Sequence, residues 1–116
     1  MLPQKNRLHL QRDIERVQKT GRATRGELFS LRFSSGQSEV SRFCFIVSKK
    51  VSKKAVERNR VVRWARESVG GLLPALIGVY DVIIYAQRGV SFYSFQLCEK
   101  EILSLLQRAN ILRPRP

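Results

Sequence analysis

The sequence predicts an α+β fold, one small mixed sheet with helices in the order α-β-β-α-β-α. Three observations carry that prediction. Apolar residues recur at helical spacing in some stretches, they alternate or run continuously at strand length in others, and Gly, Ser and Pro clusters separate the two kinds. The 116 residues are enough for one domain and no more. That domain is expected to span 1–112, with Arg113-Pro114-Arg115-Pro116 a frayed basic tail.

The first helix is expected between Leu10 and Lys19, where Leu10, Ile14 and Val17 share one side and Gly21 supplies a stop. Leu28 to Phe33 alternates, with Phe29, Leu31 and Phe33 on one face and Leu28, Ser30 and Arg32 on the other, as in a half-buried strand. Arg42 to Ser48 (RFCFIVS) is aromatic and β-branched and follows the Ser34–Ser41 loop, so it is expected to pair with the strand before it as an antiparallel hairpin. From Ala55 to about Val69 the pattern is helical, closed by Gly70-Gly71. Val61, Val62, Ala65 and Val69 fall on one arc, and Asn59, Arg60, Arg63 and Arg66 on the adjoining one. Arg58 points near the centre of the apolar arc but lies in the first turn, where it is expected to reach past the sheet edge. Tyr80 to Ala86 (YDVIIYA) is a nearly continuous apolar run, as in a central strand covered on both faces, ended by Arg88-Gly89. Ser94 caps a last helix whose apolar positions are Phe95, Cys98, Ile102, Leu105, Leu106 and Ala109. Strand, basic helix and strand make a crossover unit, so helices on one side of the sheet are the economical arrangement.

Charge narrows the function. Twenty-two Lys and Arg stand against nine acids, a net +13. Such an excess repels itself in a compact chain and is normally retained because a polyanion neutralises it. It is also uneven: residues 34–66 hold nine basic and two acidic side chains, residues 67–116 five and four. The segment Ser48 to Glu67 (SKKVSKKAVERNRVVRWARE) carries Lys49, Lys50, Lys53, Lys54, Arg58, Arg60, Arg63 and Arg66 against two acids. A merely solvated helix face would intersperse acids to relieve repulsion. Arginine also binds phosphate bidentately and stacks on bases, so a folded RNA backbone is the natural ligand. The hairpin aromatics Phe29, Phe33, Phe43 and Phe45 belong to the core or, on an open sheet face, could stack unpaired bases.

Other classes are disfavoured. No apolar run approaches the roughly 20 residues that span a bilayer, and the N-terminus turns polar at once, so a cytoplasmic protein without membrane contact is expected. Cys44 and Cys98 lack metal-ligand spacing and read as reduced, packed thiols. His9 is the only histidine and has no acidic partner nearby. The acid pairs Asp13/Glu15 and Glu99/Glu101 are two apart on helices and diverge, unlike the convergent carboxylates of a metal-dependent nuclease. Glu15, Glu57 and Glu67 read as helix partners of nearby arginines. There is no glycine-rich phosphate loop followed by lysine.

The run Arg58-Asn59-Arg60 with Arg63 and Arg66-Glu67, preceded by Ser48-Lys49-Lys50-Val51, resembles the signature of the bacterial ribonuclease P protein component. The resemblance extends to Asn6-Arg7-Leu8, Arg12-Asp13 through Gly21, Tyr80-Asp81-Val82, Arg88-Gly89 and the Ser-capped last helix. It implies an α-β sandwich with a left-handed βαβ crossover. It implies further that a catalytic RNA, with magnesium in the RNA–protein holoenzyme, removes the 5′ leader of precursor tRNA, while the protein supplies no catalytic side chain and binds no cofactor of its own. By position, Lys49, Lys50, Lys53, Lys54, Arg58, Asn59, Arg60, Arg63 and Arg66 would dock on the catalytic RNA. A cleft between the first helix and the sheet would hold the single-stranded leader, with Ile14, Gln18, Phe29, Arg32 and Phe45 as its expected residues. No obligate protein partner is implied. The chain departs from the family where Ile14 and Gln18 replace usual aromatics, Cys44 a usual glycine and Val62 a usual lysine, which weakens the leader assignment more than the other. A structural RNA-binding protein with no part in cleavage is the alternative.

Overall fold

The computed structural model describes residues 2–87, 89 and 94–113. Arg88, expected at the end of a strand, and Pro114–Pro116 of the expected tail lie outside them. Elements run α1 (Gln11–Thr20), β1 (Arg22–Arg25), β2 (Phe29–Ser35), β3 (Arg42–Ile46), α2 (Ala55–Leu72), β4 (Tyr80–Ala86) and α3 (Phe95–Arg108), with single 3₁₀ turns at Gln4–Asn6 and Leu73–Ala75.

The apolar run of β4 places it inside the sheet. The strand order is β1-β2-β4-β3, with β4 antiparallel to β2 (Phe33 opposite Val82, Leu31 opposite Ile84) and parallel to β3 (Phe43 beside Val82, Phe45 beside Ile84). The expected hairpin between the second and third strands is therefore corrected: both flank β4 and neither touches the other. Neighbours in sequence usually pair, but here α2 returns the chain so that β4 enters between them. β1 pairs antiparallel with β2 at the sheet edge. Its RATR sequence has no apolar face, and charged side chains of this kind guard an exposed edge. The α2 helix also continues through Gly70 and Gly71 to Leu72 instead of stopping at them.

Helices cover both faces, not one. On the first face Phe29, Leu31, Phe33, Phe43, Val82 and Ile84 meet Val61, Ala65 and Val69 of α2 and Cys98, Ile102, Leu105 and Leu106 of α3 in the main core. Ser94 Oγ accepts the Leu97 N–H at 3.2 Å, capping α3 as its sequence predicts. Glu101 of α3 accepts the backbone N–H groups of Glu27, Leu28 and Phe29, each at 2.6 Å, fastening the β1–β2 turn to the helix. Beside it, burial pushes the Cys98 thiol up to about 11, with Glu101 adding to the shift. On the second face lies α1 alone, over a small cluster of Leu8, Val17 and Ile83 rimmed by Ile14, Cys44, Ile46 and Tyr85. At the end of α1 a Cβ on Gly21 would sit 2.4 Å from the Val17 carbonyl and 3.0 Å from Arg32 Cγ, so only glycine lets the helix turn directly into β1.

Candidate nucleic-acid interface

The chain leaves β3 through a turn anchored by Val51, which is buried and whose N–H donates to Ser48 O at 3.0 Å. Lys49, Lys50, Lys53 and Lys54 flank that anchor and are exposed. Ser52 then shapes the entry to α2: its hydroxyl accepts the Lys54 N–H at 3.1 Å and donates to Glu57 Oε1 at 2.8 Å. Glu57 thus serves the turn, where the sequence reading gave it an arginine partner. Arg58 Nη1 donates to Ser52 O at 2.9 Å, so Arg58 reaches past the core as expected and holds the turn down.

Along α2, Asn59 and Arg63 are exposed and Arg60 and Arg66 half-buried. The Arg60 guanidinium lies 5.3 Å from the centroid of Trp64, a cation–π contact that stiffens the side chain. Arg66 turns towards the outer edge of β3, where a cleft of about 370 Å³ brings it together with Arg7, Leu8, His9 and Cys44. The Nε atoms of Arg7 and Arg66 are buried without a hydrogen-bond partner among the described residues. Burial pushes the Cys44 thiol up, and Arg66 opposes the shift. Arg7, with His9 beside it, extends the cationic surface beyond the segment that carried it in the sequence. The pairing of Arg7 with Phe43, with Asn6 Nδ2 donating to Ser41 O at 2.8 Å, brings them there, and nothing in local composition announces that pairing.

On the second face, Ile14 of α1 packs beside the half-buried Cys44, Ile46 and Tyr85 along the rim of the buried Leu8, Val17 and Ile83. Gln18 Nε2 lies 3.4 Å from the Tyr85 hydroxyl, and Arg32 Nη1 donates to Gln18 O at 2.8 Å. Three of the residues expected in a leader cleft, Ile14, Gln18 and Arg32, therefore come together. Phe29 and Phe45 do not, and their placement is corrected. Phe29 is wholly buried in the main core, and Phe45 shares its face and packs against that core. Both follow from strand parity: residues that alternate with Arg32 and Cys44 point away from α1. Tyr85 and Ile46 are instead the half-buried ring and aliphatic surface beside α1. Tyr85 sat in the predicted central strand, and only the knowledge that one side of that strand meets a lone short helix marks it as accessible.

Chemically these surfaces offer cations suited to phosphate and one half-buried aromatic ring. Among the described residues no three His, Cys, Asp or Glu side chains converge as metal ligands would. No helix among those residues is long and apolar enough to cross a membrane.

The fold has known counterparts. The family model described as Ribonuclease P matches residues 2–110. The ribonuclease P protein component of Microcystis aeruginosa is 37% identical over 115 residues, covering 96% of each chain, and that of Chloroflexus aggregans is 34% identical, covering 92% of this chain and 79% of the other. Among solved structures, the RNase P protein of Thermotoga maritima superposes with a TM-score of 0.79 at 27% identity, covering 88% of this chain and 96% of that one. A Staphylococcus aureus RNase P protein mutant with defective mRNA degradation activity reaches 0.86 at 21% identity, covering 93% and 91%, and attests the fold alone. The chain belongs to the ribonuclease P protein family, the protein components of a ribonucleoprotein that processes tRNA 5′ ends.

Proposed function

We propose that this chain is a ribonuclease P subunit that divides its two RNA ligands between the two sides of its sheet. The cations of the 49–66 segment, with Arg7, dock on the phosphates of a catalytic RNA. The α1 groove holds the single-stranded 5′ leader of precursor tRNA, with Tyr85 as the stacking surface and Ile14, Gln18 and Arg32 as its border. The RNA performs the hydrolysis and holds the magnesium, while the protein positions the leader and raises substrate affinity. The observation that carries this reading is the pairing of a family match over residues 2–110 with a half-buried aromatic ring, Tyr85, beside α1 on the face of the sheet opposite α2 and α3; that face adjoins the cationic cleft at Leu8 and Cys44. Each phosphate neutralised contributes about 0.7 to 0.9 to the logarithmic salt slope, and a stacked base about 1–3 kcal/mol. A cytoplasmic location follows from this role.

The test is cleavage of a precursor tRNA at low magnesium by a bacterial ribonuclease P RNA with and without this chain, and by the chain alone. The reading expects mature 5′ ends to accumulate quickly only when both are present. A chain that binds the RNA tightly without changing cleavage would instead be a structural RNA-binding protein.

A further inference from the structure

Asp81 is fully buried on the α1 side of β4, and neither RNA-binding surface uses it. Its carboxylate gathers donors from three directions. Arg16 of α1 donates through Nη2, Arg42 of β3 through Nε at 3.0 Å and Nη2 at 2.9 Å, and the Gln37 backbone N–H lies 3.4 Å away. Arg42 Nη1 continues to Asp13 of α1 at 3.4 Å, and Arg16 Nη1 donates to Ser34 Oγ of β2 at 3.0 Å. Two carboxylates and two guanidiniums thus make a neutral quartet that joins α1 to three strands.

An ionic cluster built round a buried carboxylate is an uneconomical way to gain stability, since well-packed apolar side chains of similar volume do as well or better. It provides direction instead: planar guanidinium forks on fixed carboxylate oxygens set both distance and rotation. The rest of α1's seating is a small apolar cluster in which Val17 is the helix's only buried residue. Ile14 lies between Asp13 and Arg16, and Gln18 follows Arg16 by two residues, so whatever fixes the height of Asp13 and Arg16 over the sheet also fixes the Ile14 and Gln18 side of α1. We infer that Asp81, through Arg16 and Arg42, is a positioning residue for leader recognition: it sets the spacing between α1 and the sheet into which a single-stranded RNA leader fits. This rests on the groove reading above.

The test uses the reconstituted holoenzyme with Arg16→Ala, which spares the fold because Arg42 still compensates Asp81. Arg16→Lys serves as the conservative variant, and Arg12→Ala, exposed on the same helix, as a control that removes an equal charge. Two quantities are read: the ratio of affinities for precursor and mature tRNA, and amide hydrogen exchange of α1 relative to α3. Arg16→Ala is expected to speed α1 exchange and lower the ratio about tenfold, Arg16→Lys to restore part of both, and Arg12→Ala to change neither. Unchanged α1 exchange overturns the clamp. Faster exchange with an unchanged ratio overturns the positioning role. A wild-type holoenzyme that draws no distinction between the two tRNAs overturns the groove reading itself, and exchange still decides whether the quartet holds α1. Asp81→Asn is expected to repeat the Arg16→Ala pattern, and its folding is checked by α3 exchange; a folded Asp81→Asn chain with normal α1 exchange also contradicts the proposal.

Discussion

The two faces of the sheet are built on different principles. One is closed by two helices over a continuous apolar core that includes Phe29, Leu31, Phe43, Ile102 and Leu106; the other carries one ten-residue helix over Leu8, Val17 and Ile83 and relies on the Asp81 quartet for its alignment. The first face can supply the free energy of folding because its contacts are non-directional and numerous. The second has fewer and more directional contacts, and under the proposed function it is where a chain of nucleotides enters without dismantling a core. On that proposal stability and recognition are separated by a single layer of backbone, in a protein too small to separate them by domains.

Substitutions that affect one face and not the other should break the comparison most clearly. Phe29→Ala removes a wholly buried ring, and its expected cost is about 3–5 kcal/mol in urea unfolding. A loss below about 1 kcal/mol would mean the helix-covered face is not the stabilising one. Glu101→Gln keeps the shape but weakens three charge-assisted hydrogen bonds to the β1–β2 turn. About 1–3 kcal/mol should be lost with leader discrimination unaffected, because α3 lies across the sheet from the groove. Arg63→Ala should leave unfolding unchanged, weaken binding to the catalytic RNA and flatten its salt slope by about 0.7 to 0.9. An unaltered slope would remove Arg63 from the contact. Gln18→Ala deletes an exposed side chain held by one long hydrogen bond to Tyr85. Its effect on precursor affinity should be the smallest, below about 1 kcal/mol, and a larger loss would show that Gln18 touches the leader itself.

How much of this was legible in the sequence depends on whether the signal is local. Helix and strand positions follow periodicity, so α1, α2, α3 and β4 appear nearly where expected, and the cationic stripe of α2 is readable by angle alone. Pairing is not local. Residues 29–35 and 42–46 are neighbours in sequence and both strand-like, yet the partner that separates them arrives some forty residues later. The same ignorance misplaced Phe29 and Phe45: alternation shows that they share a face with Leu31 and Phe43, but not that α2 and α3 cover that face while α1 takes the other. β1 escaped notice because an edge strand of charged residues carries no apolar signal, and Gly70-Gly71 misled because α2 packs on both sheet and α3, which outweighs intrinsic propensity. Asp81 read as one polar residue in an apolar run, since its partners lie in α1 and β3.

The central claim is that one RNA binds each side of the sheet, and the most direct measurement is a crossed comparison of Tyr85→Ala and Arg63→Ala in two assays. One assay is affinity for the catalytic RNA, the other the holoenzyme's ratio of affinities for precursor and mature tRNA. Tyr85→Ala should lower the ratio by about 1–3 kcal/mol in equivalent free energy and leave catalytic-RNA binding as it was. Arg63→Ala should weaken catalytic-RNA binding and leave the ratio as it was. If either substitution lowers both quantities in proportion, with folding intact, the two sides are not separate binding surfaces and the account is wrong.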